Sequence, residues 1–181
     1  MSRKMVNFVA EKTKTTMSDN KENTVSLQSS SRVTHKRPDV LECDVVRFQN
    51  EKEKWMAFVG LLDGKPYEIF TGLQDDDEGI ILPKSVNTGK IIKHVNADGT
   101  RRYDFQFENR RGYKTTVEGL SEKFNPIYWN YAKLISGVLR YGMPIENVIK
   151  LVSSLEMDGG IDTWANGVVR ALKKYIDDKV E

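Results

Sequence analysis

Lys90, Lys93, Arg101, Arg102, Arg110, Arg111 and Lys114, with Tyr113 among them, are the residues of this 181-residue chain whose types and spacing point most directly to chemistry. Arginines and lysines beside aromatic rings on strands neutralise phosphates and stack bases. The chemistry implied is therefore contact with an anion, either single-stranded nucleic acid or an acidic protein surface. The competing reading is a solvated sheet face whose charges oppose edge-to-edge strand pairing. Asp98, Asp104 and Glu108 lie among the same residues and dilute the field.

The parts of familiar catalytic schemes are sparse. His35 falls in a polar N-terminal tract and His94 in a strand-like run, and neither has a neighbouring second ligand or nucleophile in the sequence. Cys43 sits between Glu42 and Asp44, a negative field that raises a thiol's pKa, so it reads as a strand cysteine rather than a nucleophile. With one cysteine in the chain, an internal disulfide and a CxxC redox pair are both excluded. Neither GxGxxG nor GxxxxGK[ST] occurs. The run Asp75-Asp76-Asp77-Glu78 before Gly79 lacks the ligand spacing of a calcium loop and reads as a solvated loop. No catalytic, cofactor-binding or metal-binding residue is assigned.

A formal net charge of +2, from 28 basic and 26 acidic residues, produces no global field that demands nucleic acid or an anionic membrane. The start, MSRKMVNFVAEKTKTT, lacks the apolar core of a signal peptide, and no run approaches the ~20 apolar residues that span a bilayer. A cytoplasmic protein is expected.

Residues 1–36 are poor in apolar anchors and read as a disordered tail, residues 37–177 as a single α+β domain with an inserted hairpin region near 80–120, and residues 178–181 as a frayed end. The domain opens with Val40, Leu41, Val45, Val46 and Phe48. A run from Trp55 to Leu62 follows, reading as a strand covered on both faces. Asp63-Gly64 then forms a hairpin turn, and the partner strand runs from Pro66 to Leu73. A second antiparallel set covers Lys90 to Val95, Arg102 to Glu108 and Tyr113 to Val117, with one wet face. From Asn125 the period changes from two to about three and a half. Asn125 caps a helix with Pro126 at its first position and Tyr131, Leu134, Ile135, Val138 and Leu139 on its core face, ended by Gly142. Pro144 opens a second helix, with Ile145, Val148, Ile149 and Val152 on its face. A third begins near Asp162, with Trp164, Val168, Ala171, Leu172 and Tyr175 as its stripe. Strands precede three C-terminal helices that pack on the sheet. Arg140 and Tyr141, at the first helix junction, are candidates for a contact surface.

These phrases also carry a resemblance. DGKPYEIFTG followed by YAKLISGVLRYGMPIENVIKLVSSL resembles the C-terminal region, often called the TSCPD domain, of adenosylcobalamin-dependent (class II) ribonucleotide reductases. KRPDVLECDVVRF and FENRRGYKTTVEGLSEKFNPIYW are similar to its longer version, so the likeness covers Lys36 to about Ile176. What it implies is reduction of ribonucleotides to deoxyribonucleotides for DNA synthesis, by a cysteine radical generated with adenosylcobalamin and a redox cysteine pair. That chemistry is housed in a large barrel not present in this chain. The family's terminal region commonly carries a CxxC, whereas this sequence ends DDKVE and offers only Cys43. The expectation is an accessory or C-terminal component that is not catalytic alone and docks on a catalytic reductase chain, with adenosylcobalamin held there. Whether the chain is itself an enzyme stays open. The alternative is a module binding single-stranded nucleic acid or an acidic protein through the basic hairpins. A stand-alone enzyme ranks last, for want of a pocket signature.

Overall fold

The computed structural model describes residues 36–155 and 163–176. The expected tail, His35, Asp162 and the last residues lie outside that range. Among the described residues six strands precede four helices. The strands are β1 (Val40–Asn50), β2 (Glu53–Leu62), β3 (Lys65–Leu73), β4 (Thr88–Val95), β5 (Arg101–Glu108) and β6 (Lys114–Val117). The helices are α1 (Leu120–Lys123), α2 (Pro126–Arg140), α3 (Ile145–Ser153) and α4 (Trp164–Lys173). This is the expected α+β order, with the four-residue α1 as an unanticipated addition.

Both predicted hairpin sets belong to one antiparallel sheet, ordered β3-β2-β1-β4-β5-β6. β1 joins them by pairing with β2 on one side and β4 on the other. The β2–β3 turn forms because Asp63 and Gly64 both adopt positive φ, 52° and 75°, the geometry whose twist matches the flanking strands.

The sheet is strongly curled. At about 4.8 Å per strand, β2 and β5 would lie roughly 14 Å apart in a flat sheet. Yet the rings of Phe58 on β2 and Phe105 on β5 are 4.9 Å apart, and those of Phe70 on β3 and Tyr103 on β5 are 5.2 Å apart. The concave side encloses Met56, Phe58, Ile91 and Phe105 and is closed by Ile80, Leu82, Leu120 and Phe124. A second core lies on the other face, where Trp55, Ala57, Val59 and Ile69 meet Ile135, Val148, Val152, Trp164, Val168 and Leu172 from α2 to α4. The run from Trp55 to Val59 is therefore buried on both faces, which accounts for its unbroken apolar sequence. β4–β6 have the expected wet face, with Lys90, His94, Glu108 and Lys114 exposed on it, and Asp104, only 2 % exposed, is its exception.

β3 is the sheet edge, and α2 covers it. Ile69 pairs with Val59, and its N–H, not engaged there, donates to Ser136 Oγ at 2.9 Å; the Ser136 hydroxyl lies 3.1 Å from Ile69 O and 2.8 Å from Ala132 O. A serine thus answers the backbone groups a further strand would have taken. This orientation corrects the expected core face of α2. Ala132, Ile135, Ser136 and Leu139 face inward, while Leu134 is 71 % and Tyr131 41 % exposed. An apolar count alone passes over Ser136. The ends of α2 are as expected: Asn125 Oδ1 accepts from Ile127 N at 2.9 Å, and Gly142, at φ 79°, lets Met143 N reach Val138 O at 3.1 Å.

α4 is capped by Thr163, whose Oγ1 accepts from Asn166 N at 3.2 Å, and Trp164 Nε1 donates to the buried Thr71 Oγ1 at 2.8 Å. Gly167 on α4 lies against Phe48, where an added Cβ would come within 2.0 Å of the ring. Alanine ordinarily favours a helix over glycine by about 1 kcal/mol. Overpacking should outweigh that gain, so Gly167→Ala is expected to lower stability by about 1–3 kcal/mol, read as a drop in the urea midpoint. A raised midpoint would mean that Phe48 can turn aside.

Candidate functional site

Strand period decides how the seven basic residues are arranged. Alternate side chains leave opposite faces of a strand, and the register sets Lys90 opposite Gln106, His94 opposite Arg102 and Glu108 opposite Lys114. Lys90, Arg102 and Lys114 therefore share one face. Lys93, opposite Tyr103, and Arg101, opposite Val95, share the other. Arg110 and Arg111 stand in the β5–β6 turn, both exposed.

The first face is partly neutralised. Lys90 Nζ is 3.6 Å from Glu42, an exposed pair of little energetic weight. Arg102 forks onto Asp104, Nε to Oδ1 at 3.1 Å and Nη2 to Oδ2 at 3.0 Å. That hydrogen-bonded carboxylate raises the guanidinium's pKa still further. Asp104 also accepts from Gly119 N at 2.9 Å, and His94 Nε2 lies 3.0 Å from it. His94 thus has an acidic neighbour that linear sequence did not show, supplied diagonally across the β4–β5 pair. With three residues converging on Asp104, the cluster works as a tie joining β4, β5 and the start of α1.

The second face leads to a group that sequence reading missed. Glu68, on β3, is 1 % exposed in a run that otherwise reads Tyr67, Ile69, Phe70. Its carboxylate takes a fork from Arg37, Nε to Oε2 at 2.8 Å and Nη2 to Oε1 at 2.5 Å. Arg140, from the C-terminal end of α2, adds Nη2 at 3.5 Å. Arg37 precedes β1, so the pair passes over β2, where Gly60 faces Glu68. A Cβ on Gly60 would stand 2.7 Å from Glu68 Cγ. Arg37 also lies 5.4 Å from the Tyr103 ring centroid, and Arg140 4.9 Å from that of Tyr67. Partial desolvation, then Arg101 and Arg37, lower the pKa of Lys93. The legible signal was a lone glutamate in an apolar strand, which in a buried position requires a counter-charge.

Cys43 is buried on β1. Burial first, then Asp44, Glu68 and Glu42, push its pKa well above the ordinary thiol value. Asp44 itself accepts from the Tyr175 hydroxyl and lies 2.8 Å from Lys174 Nζ, fastening the end of α4 to β1. Desolvation, then that carboxylate, raises the Tyr175 pKa beyond the usual phenol range. The acidic run is exposed: Asp75 Oδ1 accepts from Asp77 N and Glu78 N, which lowers its pKa and shapes a turn. Among the described residues no group of three or more His, Cys, Asp or Glu is placed to hold a metal ion.

One face of α2 remains uncovered by the described residues. Ile127, Tyr131 and Leu134, spaced i, i+4, i+7, form an apolar stripe, with Ile127 62 % exposed.

A family model described as NrdJ homologue C-terminal domain matches residues 41–177. No curated protein and no solved structure matches the chain.

Two measurements test the interior. Arg37→Ala strands a buried carboxylate and is expected to cost about 3–5 kcal/mol in urea unfolding, whereas Arg37→Met with Glu68→Met should lose less than the single change. Simple addition of the two single losses would mean that the pair is not coupled. Cys43 should resist a thiol-reactive dye at pH 8 in the native protein and react at once in denaturant; rapid native labelling would contradict the burial.

Proposed function

Because the chain belongs to the NrdJ homologue C-terminal domain family, related to class II ribonucleotide reductase, we propose that it is a non-catalytic accessory component docking on a reductase catalytic chain. Its place would be the cytoplasm, in the synthesis of DNA precursors. The observation that carries this reading is the pairing of the family match with the uncovered apolar stripe on α2. The matching family is named as a C-terminal domain of a larger homologue, and such a domain needs a surface by which to meet the rest of its enzyme. Ile127, Tyr131 and Leu134 supply apolar area at helical spacing, the pattern of a helix that seats in a partner's groove.

The thiol inventory supports the non-catalytic half. Reduction of a ribose by the chemistry of the resembled reductases uses a radical cysteine and a redox pair, while these 181 residues contain one cysteine, buried and held protonated. Nor do the described residues fit adenosylcobalamin. One cleft they form, about 720 Å³, is a groove whose charged lining is mixed, Asp63 and Glu146 with Lys65 and Lys174. His94, the histidine among them, is turned to Asp104. We therefore place the cofactor in the catalytic chain. No helix of the described residues is long and apolar enough to cross a membrane.

The test is sedimentation of the purified chain with a class II reductase catalytic chain from the same genome that lacks a C-terminal domain of this family. A complex is expected, weakened about tenfold or more by Ile127→Asp with Leu134→Asp, while the melting temperature stays nearly unchanged because both positions are exposed. No complex at tens of micromolar, or one indifferent to the two aspartates, would sink the proposal.

A further inference from the structure

On the far flank of α2 from the apolar stripe, the helix, β3 and β5 bound a cleft of about 490 Å³. An α-helix turns about 100° per residue, so Trp129, Lys133 and Arg140 project within roughly 40° of one another, roughly 160–180° round from Tyr131. Two kinds of side chain converge there. One is aromatic: Trp129 stacks on Phe70 at 4.7 Å and 19°, and Tyr103 lies 5.2 Å from Phe70. Trp129 and Tyr103 are only partly buried where they line the cleft. The other is cationic: Arg101, Lys133 and Arg140.

The one carboxylate in the lining is Glu68, forked by Arg37, a residue outside the lining, and approached by Arg140 at 3.5 Å. Arg101 and Lys133 have no ion-pair partner among the described residues. Arg101, Lys133, Arg140 and Arg37 together outnumber that single carboxylate, so the cleft carries a positive surplus that a bound anion would relieve. A bare inorganic anion would need the cations alone. A neutral apolar ligand would need the rings alone.

We propose that this cleft binds a nucleoside phosphate, its base stacked on the Trp129–Tyr103 wall and its phosphates held by Arg101, Lys133 and Arg140. Base stacking on aromatic side chains and charge-assisted contacts from guanidinium and ammonium groups are each strong enough to contribute separately. The size is within the range of small-molecule pockets. A continuous nucleic-acid strand is a poorer fit, because Lys90, Arg102 and Lys114 lie on the other face of the sheet and do not extend the cleft into a track. The site uses residues of this chain on a different flank of α2 from the docking stripe, so it does not rest on the docking proposal.

Calorimetric titration of the full chain with ADP, adenosine and pyrophosphate tests it. ADP is expected to bind saturably, one per chain, about tenfold or more tighter than either fragment. Arg101→Ala with Lys133→Ala, both exposed and without an ion-pair partner among the described residues, should weaken ADP about tenfold or more without moving the melting temperature, and Trp129→Phe should weaken adenosine and ADP alike. Absence of saturable ADP binding at millimolar concentration would overturn the assignment. So would pyrophosphate binding as tightly as ADP, or a double alanine variant that binds ADP unchanged. Loss of reductase docking on the stripe variants with ADP binding intact would leave this site standing, and the converse result would leave the docking proposal standing.

Discussion

A carboxylate placed where water cannot reach it must find a counter-charge within the fold, and for Glu68 the answer organises the domain. Arg37 reaches it across β2, over Gly60, and so binds the chain entering β1 to β3. The same guanidinium lies against Tyr103 on β5, and Arg140 brings in the end of α2. In a flat sheet these elements would be far apart; in the curled one they meet. Ion pairs of this kind add little net stability, because desolvation consumes most of the Coulomb gain, but losing one partner is severe. The pair joins the entry to β1, strand β3 and the end of α2 in one buried contact.

Curvature in turn produces two cores. The concave side is filled by rings from β2, β3 and β5 in mutual contact, and the convex side carries α2, α3 and α4. α2 sits where the two meet, along the β3 edge, with Ser136 bonded to the edge backbone. Its inward face holds Ala132, Ile135 and Leu139, one flank shows Ile127, Tyr131 and Leu134 to the outside, and the other turns Trp129, Lys133 and Arg140 toward the Glu68 cluster. A single helix thus contributes to stability, to a surface suited to a partner and to a charged cleft, because 3.6 residues per turn give it three separable faces.

The chain's single cysteine is buried, and its 28 basic and 26 acidic residues nearly balance. Membership of the NrdJ homologue C-terminal domain family associates the chain with class II ribonucleotide reductase. Two carboxylates among the described residues serve as ties: Asp104 with Arg102, His94 and Gly119, and Asp44 with Tyr175 and Lys174. Such ties hold strand ends and helix ends in place.

Features read from neighbouring residues were legible in the sequence. The α+β order, the Asp63-Gly64 turn, the Asn125 cap, the Gly142 stop and the family likeness all depend on short-range pattern or on phrases in fixed order. Features that depend on residues distant in the chain were not. Nothing local announces that Arg37 serves Glu68, that Asp104 holds His94, or that the basic residues of β4 and β5 part company across the sheet. The inward face of α2 was misjudged for the same reason: hydropathy ranks Leu134 above Ser136, but the unpaired edge of β3 needed a hydrogen-bonding side chain there. Period and propensity are properties of a segment, whereas burial, curvature and the partner of a charge are fixed only when segments meet.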